Sequence, residues 1–374
     1  MKQIPLCIPA IGDEEIAAVI EILKSGWMAH GPKNHEFEEM FCRYLGVKHA
    51  ITMNSCTSAL HLAIEASGIT REVIVPSFTF VASVNAILLA GAHPVFVDID
   101  EATRNISPEH INKAITEKTE AIMVVHYAGL PADMPAIIRI AQKHGLRIIE
   151  DSAECLGGSY NSIQAGSHDI GCFSFFPTKN ITTGEGGMLT TNDDQLAAKV
   201  RSLSAHGIDS STYKREKEDK PWLRIASQYG YNFRMSNLLA AIGVEQMKKL
   251  GKLNVERRKI AERYIENLCH MPAIHPQHVP KGFIHSWQMF TILVPESVRD
   301  ALLNHLRSNG VAASVHFDPP VHEQPIYQGI RHGTQLEVTH KVARSLITLP
   351  IFPGMSEEDV DYICQLIVDF KGFA

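Results

Sequence analysis

The chain has 374 residues, 45% of them hydrophobic and 20% charged, which supplies a large core and exceeds the usual length of one domain. Lys and Arg number 35 against 41 Asp and Glu, a net charge of −6, so neither nucleic acid nor an anionic membrane is the expected main partner. With 25 Gly, 19 Pro and 7 Cys, the composition excludes disordered, collagen-like and disulfide-scaffold classes.

The opening MKQIPLCIPAIGDEE has neither the apolar core nor the small-residue cleavage site of a signal peptide. Residues 11–24 predict an amphipathic helix with an acidic first turn, and residues 34–45 a second. A strand over 49–53 leads into a helix over 57–67. A strand at 73–75, a helix at 80–90 and a strand at 94–97 follow. Residues 81–97 are the most apolar stretch, but Ser83, Asn85, His93 and Pro94 interrupt it, and a membrane span needs about 20 mostly apolar residues. Next come a strand at 121–126, a helix at 134–144 closing at Gly145, and a strand at 147–150. Strands alternating with helices predict βαβ units in a mainly parallel sheet. Residues 207–221 are polar and charge-rich and predict an exposed excursion. A helix over 236–250 precedes a change of texture near Asn254: a helix at 255–268, a strand-like run at 287–294, a helix near 297–308 and a last helix from Glu357. The expected organisation is a large α/β domain, 1–250, with an N-terminal helical segment, and a smaller α+β domain, 251–374, hinged near 250–255. The seven cysteines are odd in number and scattered without a CxxC pair, so they read as reduced thiols. The 19 histidines include no HExxH motif and no close Cys/His cluster, and no metal is expected. The expected location is the cytoplasm.

Four segments carry chemistry, most of them just past a strand, where open α/β sheets place ligands. Asn54 to Leu60 is a hydroxyl-rich turn before a helix; Thr57 and Ser58 with the helix amides make an anion site, or simply a helix cap. The strand from Arg147 ends in Asp151 and, three residues on, Glu154. A carboxylate at Asp151 would hold a proton on a heteroaromatic ring nitrogen, or cap a helix. In FSFFPTKNITTGEGG a single lysine, Lys179, follows an aromatic strand and precedes a glycine-rich turn. A lysine in apolar surroundings is a Schiff-base former, although most lysines are simply exposed. Ser174, five residues earlier, would add a phosphate hydroxyl. The fourth segment, Tyr229 to Ser236, contains Asn232 and opens a helix, with a turn and cap as its plain reading. An anion cradle, a carboxylate for a ring nitrogen and a Schiff-base lysine together are what pyridoxal phosphate requires. Neither a strand–GxGxxG–helix fingerprint nor a Walker A sequence occurs.

Ten segments in order, among them SGWMAHGP, NSCTSALHLA, VPSFTFVAS, IIEDSAE, SFFPTKNITTGEGGM and HFDPPVHEQPIY, resemble the DegT/DnrJ/EryC1/StrS sugar aminotransferases, which are fold-type-I pyridoxal-phosphate enzymes. The resemblance implies that Lys179 holds the cofactor as a Schiff base and moves the substrate proton, and that Asp151 partners the pyridinium. It implies further that Phe80 stacks on the ring, that Thr57, Ser58 and Ser174 bind phosphate, and that Asn232 reaches the phosphate of the neighbouring subunit in a homodimer with shared sites. Trp27 and His322 would line the sugar-nucleotide cleft. Two positions depart from the family pattern. Glu154 stands where His or Gln usually faces the cofactor's 3-hydroxyl, a feature that favours the GDP-perosamine synthase branch, and Cys56 stands where Gly is usual. The implied reaction moves an amino group from L-glutamate, which leaves as 2-oxoglutarate, to a nucleotide-linked 4-keto-6-deoxy sugar, in a pathway such as O-antigen or lipopolysaccharide synthesis. The alternatives are 3-amination of a 3-ketosugar, dehydration or retro-aldol cleavage on the same fold, and a non-catalytic sugar-nucleotide-binding relative. Family members that act as dehydratases carry His where this chain has Lys179.

Overall fold

A computed structural model describes residues 2–208, 220 and 222–373; most of the expected excursion at 207–221 lies outside the described residues. Helix α1, Asp13–Ser25, opens with three acids in its first turn, at the positive end of the helix dipole, and stops at Gly26 in the left-handed region. Helix α2, Pro32–Leu45, starts with proline at its first position and ends the same way at Gly46.

Seven strands form the central sheet: β1 (His49–Met53), β2 (Glu72–Pro76), β3 (His93–Val97), β4 (Thr119–Val125), β5 (Arg147–Asp151), β8 (Ile170–Ser174) and β9 (Gly187–Thr191). Their order is β1-β9-β8-β5-β4-β2-β3. The pairs β2–β3, β2–β4, β4–β5 and β5–β8 are parallel, whereas β9 runs antiparallel to both β8 and β1. The mainly parallel sheet is therefore present with one reversed strand. Its strands are buried almost end to end because helices cover both faces. On one face pack α3 (Cys56–Ala66), α4 (Val81–Leu89) and α7 (Asp194–Leu203), whose Leu60, Val84 and Val200 share a core with Val75 and Met123. On the other lie α5 (Pro108–Ala114) and α6 (Met134–His144), which bury Ile111 and Ile137 against Ile74 and Val124.

The two helices expected on either side of residues 250–255 are one: α8 runs unbroken over Asn237–Leu268. Gly251 is the only glycine within residues 250–255, and a helical glycine costs about 1 kcal/mol, too little to part a helix that buries Leu250, Leu253 and Arg257. The C-terminal half of α8 joins a second core, with Ile260 and Tyr264 packed among Phe290, Ile347 and Ile363. That core surrounds a three-stranded sheet of β10 (His275–Pro276), β12 (Phe290–Leu293) and β13 (Leu346–Leu349). Around it lie α9 (Glu296–Ser308), α10 (Glu337–Ser345) and α11 (Glu357–Val368). Ile4, from the far end of the chain, is buried in the same core, its amide bonded to Gly310 O. A small third sheet pairs β11 (Phe283–Ile284) with β6 (Ser159–Tyr160), which pairs in turn with β7 (Ile163–Gln164). Among the described residues no helix is long and apolar enough to cross a membrane.

Behind the end of β8, Phe41 of α2 is fully buried, edge-on to Phe173 and Phe175 with centroids 5.0 and 5.7 Å away. The triplet supports the turn that follows β8. Phe41→Ala is expected to cost about 3–5 kcal/mol in urea unfolding, because the rings around it cannot close the void.

Candidate active site

The sheet register puts chemistry side by side. Asp151 at the end of β5 pairs with Val125 and Cys172, while Ser174 and Met53 both pair with Gly187. A cavity of about 410 Å³ opens at this carboxyl edge, and Thr57, Phe80, Asp151, Glu154, Ser174 and Lys179 all line it. The C-terminal unit closes it with Gln288, Met289, His316 and Phe317, and the N-terminal strap adds Leu6 and Cys7.

Asp151 is 6% exposed and lies in no ion pair among the described residues. It accepts hydrogen bonds from Ser83 Oγ (2.7 Å) and the Ala153 amide (3.2 Å), with the Cys56 thiol 4.0 Å away. Burial pushes its carboxyl above the ordinary aspartate value, against the pull of the Ser83 and Ala153 hydrogen bonds. A buried carboxylate this short of cations is suited to a protonated ring nitrogen.

Lys179 sits in the turn after β8, not on a helix or strand. Its own amide bonds to Phe176 O. Arg257 of α8, itself buried, donates to the carbonyls of Lys179 (3.2 Å) and Asn180 (3.1 Å). The Asn180 side chain donates to Asn254 Oδ1 (2.9 Å) and Ser286 O (3.1 Å). Burial lowers the Arg257 guanidinium to about 10, which leaves it charged at neutral pH. So anchored, the turn extends Lys179 Nζ to 3.4 Å from Glu154 Oε1, and Glu154 Oε2 accepts the Ala128 amide at 2.9 Å. His316, on the same cavity, has Nδ1 3.0 Å from Thr348 Oγ1. Desolvation lowers its pKa below the ordinary histidine value.

At the other end, Ser55 caps α3: its Oγ accepts from the Ser58 amide (3.1 Å) and lies 3.0 Å from Ser58 Oγ. Ser58 is thereby buried against its own cap and does not line the cavity, whereas Thr57 does. The cap takes up the Ser58 amide, and the Cys56 and Thr57 amides, which have no intrahelical acceptors, form an anion site. A Cβ on Gly187 would strike the Ser55–Cys56 backbone, so β9 can approach this turn only as glycine. Cys56 occupies the first position of the helix without disturbing it. Phe80, the residue before α4, leaves its ring 57% exposed on the cavity wall.

An unpaired buried carboxylate, an amine across the cavity, an exposed aromatic face and an anion cradle fit pyridoxal phosphate. Besides Ser58, three expected site residues do not line the cavity of their own chain. Trp27 donates from Nε1 to His30 O at 3.2 Å, and its carbonyl accepts from Asn237 Nδ2, which folds it against the start of α2. His322 is taken up by Ser77 Oγ, 2.5 Å from its Nδ1, and by His340, and burial holds its pKa down to about 4. Asn232 accepts from Arg234 outside the cavity, where a residue serving a neighbouring subunit would have to lie. Sequence spacing did not point to Ser83, Arg257, His316, Cys7 or Gln288, which reach the site from remote segments; only the buried polar character of Arg257 in a helix marks any of them.

The model of the DegT/DnrJ/EryC1/StrS aminotransferase family matches residues 9–368. The spore coat polysaccharide biosynthesis protein SpsC of Bacillus subtilis is 39% identical over 377 residues, covering 98% of this chain and 96% of that protein. PseC of Helicobacter pylori, an aminotransferase involved in the biosynthesis of pseudoaminic acid, superposes with a TM-score of 0.92 at 29% identity over 98% of both chains. The PLP form of Spr1654 from Streptococcus pneumoniae superposes with a TM-score of 0.89 at 29% identity over 97% of both. The chain belongs to the DegT/DnrJ/EryC1/StrS family, and is a pyridoxal-phosphate-dependent sugar aminotransferase with the fold-type-I architecture.

Proposed function

We propose that this enzyme moves an amino group from L-glutamate to a nucleotide-linked 4-keto-6-deoxy sugar, giving a 4-amino-4,6-dideoxy sugar for a polysaccharide. The observation that carries the reading is Lys179 Nζ and the unpaired Asp151 carboxylate lining one cavity. Bound there, pyridoxal phosphate supplies an electron sink for charge on the carbon that gains or loses nitrogen. Asp151 would hold a proton on the ring nitrogen, with Ser83 and Ala153 fixing the carboxylate. Lys179 Nζ would be the amine that holds the cofactor and the base that moves a proton at that carbon. Glu154, held by the Ala128 amide, keeps Lys179 Nζ in place and would meet the cofactor beside it; this glutamate supports a perosamine-type product. Thr57, Ser174 and the α3 amides hold phosphate. The apolar wall of Leu6, Met289, Phe317 and Ile351 suits a deoxy methyl and excludes water. The name of the relative SpsC supports a polysaccharide pathway, here placed in the cytoplasm. Asn232, exposed outside its own cavity, supports a homodimer that completes each phosphate site from the partner chain.

The visible absorption of the holoenzyme tests the donor and the acceptor together. It is expected to bleach with L-glutamate and to return with a nucleotide-linked 4-ketosugar; no change with glutamate contradicts the proposed donor. Lys179→Ala is expected to lose the lysine-bound absorption and to lower turnover by at least about a hundredfold. For Asp151 the sign is unusual. A raised carboxyl pKa means that ionisation costs stability as pH rises through it, so cofactor-free Asp151→Asn should melt above cofactor-free wild type at neutral pH. The difference should vanish in acid, and the variant should bind the cofactor more weakly. Equal melting temperatures at neutral pH would sink the claim that Asp151 is uncompensated.

A further inference from the structure

Away from the cavity, two histidines face each other. His322 lies in the turn Val321–Glu323, and Ser77 Oγ holds it twice, 3.3 Å from its amide and 2.5 Å from Nδ1. The fixed ring presents Nε2 to Nε2 of His340 on α10, 3.2 Å away. His340 Nδ1 lies 2.8 Å from Glu323 Oε1, which is also 4.0 Å from His322 Nε2. The His332 ring stands 5.4 Å from that of His322, centroid to centroid.

We propose that His322 and His340 bind a divalent transition metal of the zinc class through their facing Nε2 atoms, with Ser77 and Glu323 orienting the two rings. Tetrahedral coordination at a Zn–N length of 2.0–2.1 Å sets ligand nitrogens about 3.3 Å apart, close to the spacing observed. Metal-bound histidines characteristically engage their second nitrogen with a carboxylate or another acceptor, and each ring here has such a partner at its Nδ1. Imidazole pairs select zinc, nickel or copper over magnesium and calcium. Without metal, the same spacing accommodates a hydrogen bond in which His340 Nδ1–H donates to Glu323 and His322 Nε2–H donates to His340 Nε2. Binding then requires only that the His322 proton move from Nε2 to Nδ1, where Ser77 Oγ accepts it. The His322 side chain is 6% exposed and that of His340 41%, so the metal enters from the solvent side and keeps water in its remaining positions. Bound metal ties α10 to the turn five residues beyond Phe317, which lines the cavity.

The test is zinc titration of the untagged, EDTA-treated holoenzyme against a chromophoric chelator. One zinc per chain is expected, with affinity falling at least about tenfold in His340→Gln and about tenfold in Glu323→Gln, which keeps both imidazoles. Both side chains are partly exposed, and the melting temperature without metal confirms that the variants fold. Zinc should raise the melting temperature of the wild type and not of His340→Gln. Equal zinc affinity in the wild type and His340→Gln, or no binding by the wild type, overturns the site.

Discussion

Strand β5 ends in two carboxylates with opposite fates, and the site depends on that contrast. Successive strand residues face opposite sides of a sheet. Glu150 turns to one side and is saturated: His126 lies 2.9 Å away, the Gly166 and His168 amides donate at 2.9 and 3.0 Å, and His168 Nδ1 lies at 3.2 Å. Although burial raises its pKa, the hydrogen bonds with His126 and His168 hold Glu150 far below the usual carboxylate range. Asp151, one residue on, turns to the cavity with far less support, and burial wins. One carboxylate fixes the strand; the other is left to a cationic ligand. Lys179, across the cavity, meets Glu154 instead, so the lysine and the aspartate do not neutralise each other directly.

The lysine turn has no regular structure of its own, and its position is set from outside. Arg257 and Asn254 on α8 hold its carbonyls and the Asn180 amide, while Gln288 donates to Thr178 O at 2.8 Å. Helix α8 begins beside the start of α2, where Asn237 Oδ1 accepts the Lys33 amide. One rigid helix therefore connects the start of α2, the lysine turn and the second core. The N-terminal strap adds a further tie, entering the second core at Ile4 and the cavity at Leu6 and Cys7 before Gln246 of α8 bonds Ala10 O at 2.8 Å.

The sequence made legible what depends on local pattern. Strands over residues 49–53 and helices over 134–144 appear at their expected bounds because alternation and caps decide them. Lys179, Asp151, Ser174, Thr57 and Phe80 follow strands and converge because parallel strands share one carboxyl edge. Reversed β9 was hidden by its glycine-led start, and α5, α7 and α10 are short, amphipathic pieces whose caps at Ser107, Asp193 and near Asp98 mean little without the sheet they pack on. The change of texture near Asn254 does not break the helix, because Leu250, Leu253 and Arg257 are buried straight through it. Ser83, Arg257 and His316 act through contacts between segments tens to hundreds of residues apart, which periodicity does not record. Trp27 and His322 were placed by family pattern alone, and in this chain their polar atoms are satisfied elsewhere.

Borohydride reduction of the cofactor-loaded enzyme followed by peptide mass mapping tests the central claim most directly, since it fixes whichever amine holds the cofactor. The account predicts a phosphopyridoxyl group on Lys179 and on no other lysine, with labelling reduced when Arg257 is replaced and the turn loses its anchor. A label on a different lysine, or none on the loaded protein, would contradict it.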